Sequence, residues 1–212
     1  MNMGLSLIRL MLGIYQTNCY ILCDEKTKKA LIIDPGYDSE RIIANLNKHK
    51  LEPTMILLTH GHTDHYGAVA GLKKAYNIPI YLSESDQKML DEHQKELDRT
   101  LGLENSEPIK ADKYLHDGDV IDFEGHQIKV IATPGHTQGS VCFLLDQIMF
   151  SGDMLFQGSI GRTDLLGGSY EDIMKSLSKI LKMDGEITVY PGHGPATTIG
   201  FEKENNYFAR LL

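Results

Sequence analysis

The feature that most constrains the fold is an apolar run, Met55–Thr59, which leads directly into His60-Gly61-His62-Thr63-Asp64-His65. A short run without alternating polar residues is typical of a strand in a sheet that is covered on both faces. The polar cluster begins where this strand ends. Loops at strand ends are where a rigid sheet presents functional side chains to a common pocket, so the cluster indicates a functional site.

Strand-like and helix-like segments alternate along the rest of the chain. We predict further strands at Ser6–Leu12, Asn18–Cys23, Ala30–Asp34, Pro79–Leu82, Tyr114–Phe123, Gln127–Ala132, Val141–Leu145, Ile148–Phe150 and Ile187–Tyr190. A helix with Ile42, Ile43 and Leu46 on one face is predicted to begin after Asp38 or Ser39 as the N-cap. Further helices are predicted at Gly67–Tyr76, Tyr170–Leu181 and Gly200–Leu212. Strands interspersed with helices, without a linker, predict one α/β or α+β layered domain over residues 1–212.

The segment Ser83–Lys110 differs from its surroundings because it is polar and rich in helix-forming residues. We interpret it as a surface helix followed by a loop. It is a candidate wall or lid of the pocket, and a solvated helix without a functional role is the equally acceptable alternative.

Composition narrows the class of protein. Hydrophobic residues make up 42% and charged residues 24%, with a formal net charge of −8, which is typical of a soluble domain and argues against a nucleic-acid or anionic-membrane surface. No run approaches the roughly 20 apolar residues of a membrane span, and Met1–Met11 lacks the pattern of a signal peptide. Cys19, Cys23 and Cys142 form no metal-ligand pattern, so we expect reduced, buried thiols in a cytoplasmic protein.

Five of the nine histidines lie in three segments, each directly after an apolar strand, and Asp153 follows a strand in the same way. The five are His60, His62 and His65, then His136, then His193. The other four, His49, His93, His116 and His126, lie in polar surroundings and are predicted to be surface residues. A common origin at strand ends predicts that the five histidines and Asp153 line one pocket.

The spacing within the first cluster predicts metal binding. Alternate residues of an extended segment point to one side, so His60 and His62 can reach one ion together. Asp64 and His65 lie at the turn into the next helix and can reach a second ion. Imidazole and carboxylate ligands favour zinc, with iron or manganese as alternatives, and Asp153 is the natural bridge between two ions.

These motifs resemble the metallo-β-lactamase superfamily. The match consists of the HxHxDH sequence at 60–65, followed in order by Thr133-Pro134-Gly135-His136-Thr137, Gly152-Asp153 and Pro191-Gly192-His193-Gly194, and it extends from about Gln16 to Phe201. The resemblance implies an αββα sandwich, in which two mixed β-sheets are flanked by helices and the metal site lies at one sheet edge.

Within the superfamily the chain looks like the small, single-domain branch related to glyoxalase II, the hydroxyacylglutathione hydrolases. Gly161-Arg162-Thr163-Asp164 and the sequence from Gly192 to Gly200 carry this likeness. Asp153 stands where the zinc β-lactamases use cysteine, which disfavours antibiotic hydrolysis. Full-length glyoxalase II continues into a helical domain with basic glutathione-binding residues, whereas this sequence ends at Leu212, so we expect its chemistry to carry over better than its thiol selectivity.

The resemblance also implies a role for each ligand. It assigns His60, His62 and His136 to one ion and Asp64, His65 and His193 to the other, with Asp153 bridging and Asp64 and Asp153 as the catalytic carboxylates. Asp34 and Arg162 would support the ligands. The implied reaction is hydrolysis of a small acyl thioester by water activated between two divalent ions, with a thiolate that leaves without a general acid.

Three alternatives remain open at the level of sequence. A persulfide dioxygenase of the same superfamily would need one iron on His60, His136 and Asp153. A lactone or ester hydrolase would use the same ions as the thioesterase. A non-catalytic metal-binding module belongs to a different functional class. The acyl group, the thiol carrier and the oligomeric state are not specified by the sequence.

Overall fold

The computed structural model describes residues 4–99, 102 and 107–212. The chain divides into two compact units. The N-terminal unit contains residues 4–82 and the described residues of Gln87–Tyr114, and the C-terminal unit contains Ser83–Asp86 and Leu115–Leu212. In the described ranges each unit is built around a six-stranded sheet.

The sheet of the N-terminal unit has the strand order β1-β2-β3-β4-β5-β6. Its first three strands pair antiparallel, whereas β3, β4 and β5 run parallel. Strand β2 is buried along its whole length, which matches its apolar sequence. The strands are β1 Leu5–Leu12, β2 Thr17–Asp24, β3 Lys29–Ile33, β4 Glu52–Leu57, β5 Ile80–Ser83 and β6 Lys113–Leu115.

Helices cover the apolar face of this sheet. Helix α1 (Ser39–His49) is capped by Asp38, one of the two predicted N-cap residues. The Asp38 side chain accepts a hydrogen bond from the Arg41 amide. Its buried residues Ile42 and Leu46 join one hydrophobic core with sheet residues. The remaining helices that begin in the first hundred residues are α2 (Thr63–Tyr66), α3 (Val69–Tyr76) and α4 (Glu84–Arg99).

The sheet of the C-terminal unit has the order β14-β13-β10-β9-β8-β7, and it is also mixed, because β10 and β13 pair parallel while the other pairs are antiparallel. Its strands are β7 Val120–Phe123, β8 His126–Ala132, β9 Val141–Leu145, β10 Ile148–Gly152, β13 Thr188–Pro191 and β14 Thr197–Thr198. A short hairpin follows β10 and consists of β11 Leu155–Phe156 and β12 Ser159–Ile160.

Helix α5 (Tyr170–Ile180) covers this second sheet. Ser169 caps the helix, and Ile173, Leu177 and Ile180 are buried at the spacing of one helical face. These residues share a core with Met149 of β10 and other sheet residues. The chain ends with α6 (Ile199–Asn205) and a 3₁₀ turn, Phe208–Leu211. Two mixed sheets with flanking helices confirm the predicted fold class.

The structure corrects several predicted boundaries. The strand predicted at Met55–Thr59 is β4, Glu52–Leu57, so Leu58 and Thr59 lie beyond its end. The segment Tyr114–Phe123 forms two strands, β6 and β7, because the turn at Asp117-Gly118 interrupts it and Gly118 has a positive φ. The predicted closing helix Gly200–Leu212 stops at Asn205. The hairpin β11–β12 and the two-residue strand β14 were not predicted, since such short strands carry almost no periodicity.

Helix α4 lies within Ser83–Lys110, of which residues 100, 101 and 103–106 lie outside the described residues. It is not simply a solvated surface helix. Its buried residues are Asp86, Gln87, Leu90, Gln94 and Asp98. Gln87 accepts a hydrogen bond from the Ala111 amide and donates to the Ile109 carbonyl, so polar side chains attach the helix to its neighbouring segment.

Two further expectations concern cysteines and membranes. Cys19, Cys23 and Cys142 are buried free thiols, as predicted, and burial raises the pKa of Cys142 to about 12. Across the described residues, no helix combines the length and the apolar character needed to cross a bilayer.

Candidate metal centre

The N-terminal unit brings four of the predicted ligands together after strand β4. His60 lies in a bend and His62 has an extended backbone, and a ring nitrogen of one lies within 4.8 Å of a ring nitrogen of the other. The ring of His60 also lies near that of His65, with 4.1 Å between the centroids. Both of these side chains are buried. A buried group of imidazoles this close needs a shared partner such as a cation.

A hydrogen-bonded chain orients two of these rings. Asp34 follows β3, which is parallel to β4, so both segments leave the sheet at the same edge. The Thr59 hydroxyl donates to Asp34 Oδ2 at 2.6 Å, and it can therefore only accept from His60 Nδ1, 3.1 Å away. His65 Nδ1 lies 3.0 Å from the same Oδ2. Both rings thus carry their proton on Nδ1 and present the Nε2 lone pair to a metal.

Asp64 and His65 lie in the short helix α2. Asp64 Oδ2 accepts a hydrogen bond from the Thr17 hydroxyl at 3.0 Å, which aligns the carboxylate. The same oxygen lies 3.6 Å from His65 Nε2. This separation is too long for a hydrogen bond but suits two neighbouring ligands of one ion.

Gly36 allows the turn after β3 to pack against the backbone of α2. A Cβ atom at this position would lie 1.7 Å from the carbonyl oxygen of Asp64. Replacing Gly36 with alanine should therefore destabilise the protein by about 1–3 kcal/mol, measured by urea unfolding. The control is Gly185→Ala, where the nearest atom would be 3.4 Å away. Equal unfolding free energies for both variants would contradict this account of Gly36.

The C-terminal unit brings the other three predicted ligands to one edge of its sheet. Strands β10 and β13 are parallel neighbours, so Asp153 and His193, which follow them, emerge together. Strand β8 runs in the same direction, with antiparallel β9 between it and β10, and its end leads to His136. The sequence pattern of ligands after strands is therefore realised in this sheet.

Asp153 Oδ2 lies between the two histidines of this unit. Its distance is 3.6 Å to His136 Nε2 and 3.4 Å to His193 Nε2. His136 Nδ1 lies 2.8 Å from the carbonyl oxygen of Arg162, which can only accept, so the proton lies on Nδ1 and Nε2 carries the lone pair. Arg162 thus supports His136 through its main chain, while its guanidinium pairs with Asp164 and lowers the pKa of that carboxyl to about 2.

These distances fit metal ligands. Two ligand atoms on one tetrahedral ion, with bonds of about 2.0–2.2 Å, lie about 3.3–3.6 Å apart. The three measured separations between Nε2 and carboxylate oxygens are 3.4–3.6 Å. Imidazole and carboxylate donors suit zinc, iron and manganese, so each unit contributes a donor set fit for a divalent cation.

The sequence of this chain matches a known protein family. The model of the metallo-β-lactamase superfamily matches residues 12–193, which contain all seven predicted ligands. The chain belongs to the metallo-β-lactamase superfamily. It is 38% identical over 198 residues to the hydroxyacylglutathione hydrolase GloC of Haemophilus influenzae, and the match covers 92% of this chain and 93% of that relative.

Solved structures confirm the metallo-β-lactamase fold. The structure of the BLEG-1 B3 metallo-β-lactamase matches with a TM-score of 0.86 and 39% identity, covering 96% of this chain and 99% of the other. The di-iron-bound form of TTHA1623 matches with a TM-score of 0.85 and 37% identity, covering 95% and 99%. The family relationship predicted from the motifs is therefore confirmed.

Sequence analysis expected Asp34 and Arg162 to support the ligands, but it missed two threonines that also orient them. Thr17 and Thr59 hold Asp64 and His60, and neither belongs to a recognised motif. A threonine at the end of a strand that leads into a metal motif is the only local signal. Of the histidines predicted at the surface, His49 and His116 are exposed, while His93 and His126 are half-buried.

Proposed function

We propose that this chain is a binuclear metallo-hydrolase that cleaves small acyl thioesters. The observation that carries the proposal is the position of Asp153 Oδ2, which lies at a ligand-to-ligand distance from both His136 and His193. A single carboxylate oxygen with an imidazole on each side is the arrangement that a bridging ligand requires.

In this proposal seven side chains would hold two divalent ions. His60, His62 and His136 bind the first ion, Asp64, His65 and His193 bind the second, and Asp153 binds both. Family membership supports the assignment, since all seven lie within the matched residues. A relative of 37% identity whose structure is described as di-iron-bound supports a two-ion centre.

The side chains of the protein would prepare the site for hydrolysis. Bound divalent ions would supply an activated water and stabilise negative charge that develops on the substrate. Asp34 and the Arg162 carbonyl would hold the imidazoles of His65 and His136 so that Nε2 faces the ion. A thiol has a pKa of about 8.5, so the leaving group can depart as a thiolate without a general acid.

A pocket of the N-terminal unit borders Asp64 and gives the acyl group a place to bind. Its apolar lining includes Leu12, Ile14 and Tyr15 from the β1–β2 hairpin, together with Tyr37. Ile14 and Tyr15 are exposed, so they would gain free energy by covering an apolar acyl group.

Two relatives favour different substrates. GloC is named as a hydrolase of hydroxyacylglutathione, a thioester, whereas BLEG-1 is named as a β-lactamase of 39% identity. Hydrolysis of β-lactam antibiotics is therefore the second candidate function, even though the aspartate at position 153 disfavours it from sequence. Both reactions would use the same ions, so substrate preference must be measured directly.

A substrate panel tests the proposal. Protein that has been reconstituted with zinc, iron or manganese is assayed with acyl thioesters of glutathione, coenzyme A and bacillithiol, and with a cephalosporin. We expect the best thioester to exceed the cephalosporin in kcat/KM by at least about 100-fold, because the site stabilises a substrate whose leaving group departs without protonation. The metal content of each preparation is measured alongside.

Each component of this experiment can fail separately. A higher kcat/KM for the cephalosporin would replace the thioesterase proposal with the β-lactamase. Full activity in protein that holds a single ion would contradict the binuclear centre, but it would not affect the proposal that the substrate is a thioester. Dialysis against a chelator should abolish hydrolysis, and added metal should restore it.

A further inference from the structure

Helix α4 contains two carboxylates that are almost completely buried. Asp86 is 0% exposed and Asp98 is 2% exposed. Burying a carboxylate costs free energy unless several donors surround it, so the partners of each group indicate its role. In both cases the partners include residues of a segment that carries proposed metal ligands.

Asp86 holds the loop that presents His136. Its Oδ2 accepts a hydrogen bond from the Thr137 hydroxyl at 2.8 Å, and its Oδ1 accepts one from the Gly139 amide at 2.8 Å. Thr137 directly follows His136. A Cβ atom on Gly139 would lie 2.0 Å from Ser83 Oγ and 2.5 Å from Asp86 Oδ1, so a larger residue here would have to displace these side chains. The loop is thereby attached on both sides of residue 138.

Asp98 holds helix α2. Its Oδ1 accepts hydrogen bonds from the Tyr66 hydroxyl at 2.7 Å and from the Thr63 hydroxyl at 3.3 Å. Thr63 and Tyr66 flank the proposed ligands Asp64 and His65.

The other buried polar residues of α4 have different partners. Gln87 and Gln94 bond to main-chain atoms of residues 107–111, which contain no proposed ligand. Gln94 also donates to Asp98 Oδ2 at 3.2 Å. The two aspartates, in contrast, bond to ligand-bearing segments. The compact units follow the same division, because Ser83–Asp86 belongs to the C-terminal unit with His136, whereas the helix from Gln87 belongs to the N-terminal unit with α2.

We propose that Asp86 and Asp98 are positioning residues, each of which controls one of the two metal ions. Asp86 acts through the loop of His136 on the first ion, and Asp98 acts through α2 on the second ion. This inference rests on the proposed two-ion centre. Helix α4 is therefore a buried support of the ligand-bearing segments, with one carboxylate dedicated to each.

The test compares Asp86→Asn and Asp98→Asn with Asp91→Asn. Asp91 is an exposed carboxylate of the same helix that pairs with Lys110, so it is a matched control. Zinc binding is measured by calorimetric titration of the metal-free proteins. Loss of a residue that orients a ligand weakens metal affinity by about 10–100-fold. We expect each test variant to lose affinity at one ion by this factor, and Asp91→Asn to match the parent protein.

A second background identifies which ion is affected. His193→Ala should retain only the first ion. In that background Asp86→Asn should weaken zinc affinity at the remaining ion about 10–100-fold. Asp98→Asn should weaken it far less, because Asp98 reaches a ligand of this ion only through the long Thr63 bond beside His62. A general loss of stability would instead weaken zinc affinity at the remaining ion equally in both double variants, and this result would overturn the proposal. Parallel thermal unfolding without metal records the loss of stability in each protein.

Smaller substitutions keep the test decisive if an aspartate variant does not fold. Thr137→Val removes the hydroxyl that Asp86 accepts from, while Thr137→Ser retains it. Thr137→Val should lower the zinc affinity at the first ion, and Thr137→Ser should keep the affinity of the parent protein. Tyr66→Phe tests Asp98 in the same way. Equal zinc affinity in Thr137→Val and Thr137→Ser would overturn the role of Asp86, whereas a parent protein that binds one zinc ion would refute the two-ion centre instead.

Discussion

Replacing Asp153 with alanine is expected to produce the largest loss of function in this chain. Its Oδ2 lies within 3.6 Å of the Nε2 atoms of both His136 and His193, so the proposed centre loses a ligand at both ions. We expect zinc content to fall from two ions towards none. Thioester hydrolysis should fall by at least ~10³-fold, about 4 kcal/mol in the barrier, because electrostatic stabilisation from both ions is removed.

The measurement combines metal analysis with steady-state kinetics. Asp184→Ala is the control, since Asp184 is an exposed carboxylate of the same unit that bonds within its own turn and to Gln147. It should retain two ions and full activity. If Asp153→Ala loses only one ion, and His193→Ala loses the same amount, Asp153 is a terminal ligand of one ion and the bridging assignment fails.

The sequence was sufficient to predict the fold class and the strands that carry the site. The apolar segments Met55–Thr59 and Ile148–Phe150 overlap β4 and β10, whose C-terminal residues are buried. The residues that follow each segment therefore lie at an edge of the sheet, as predicted. The metal motif is short and local, and the parallel pairing of β10 with β13 places Asp153 beside His193. Local pattern and sheet topology therefore agree at this edge.

Helix α4 shows where such prediction fails. A sequence reader assigns polar residues to the surface because burying them is costly. In the structure the cost is offset by specific partners that are distant in sequence. Thr137 lies 51 residues from Asp86, and Tyr66 lies 32 residues from Asp98. The pattern of polar and apolar residues in a single helix contains no information about such distant partners. A helix with buried polar residues is therefore predicted to be solvated.

The orientation of the ligand side chains could not be predicted from the sequence either. Asp34 was expected to support a ligand, but its position depends on a left-handed backbone conformation with φ of 50° and on Thr59. One carboxylate then fixes the tautomers of two imidazoles, one directly and one through a hydroxyl. The motif specifies which residues are ligands, whereas the orientation of their side chains depends on contacts between separate strands.

His193 separates a hydrolase from a dioxygenase, because the two reactions need different parts of the site. A mononuclear iron dioxygenase would use His60, His136 and Asp153 and leave coordination positions open for oxygen and substrate. The proposed hydrolase needs both ions, and His193 contributes to the second ion alone. His193→Ala is therefore expected to lower thioester hydrolysis by at least ~10²-fold, since one ion's stabilisation of the transition state is worth several kcal/mol.

The matched control for this variant is His116→Ala, which replaces an exposed histidine of the same unit and should leave activity unchanged. Hydrolysis is followed by release of the free thiol, and oxygen uptake with glutathione persulfide is recorded on the same preparations. Loss of thiol release in His193→Ala, without oxygen uptake by the parent protein, supports the binuclear hydrolase. If His193→Ala keeps the main activity and the parent protein consumes oxygen, the centre works with one iron and the hydrolase proposal must be abandoned.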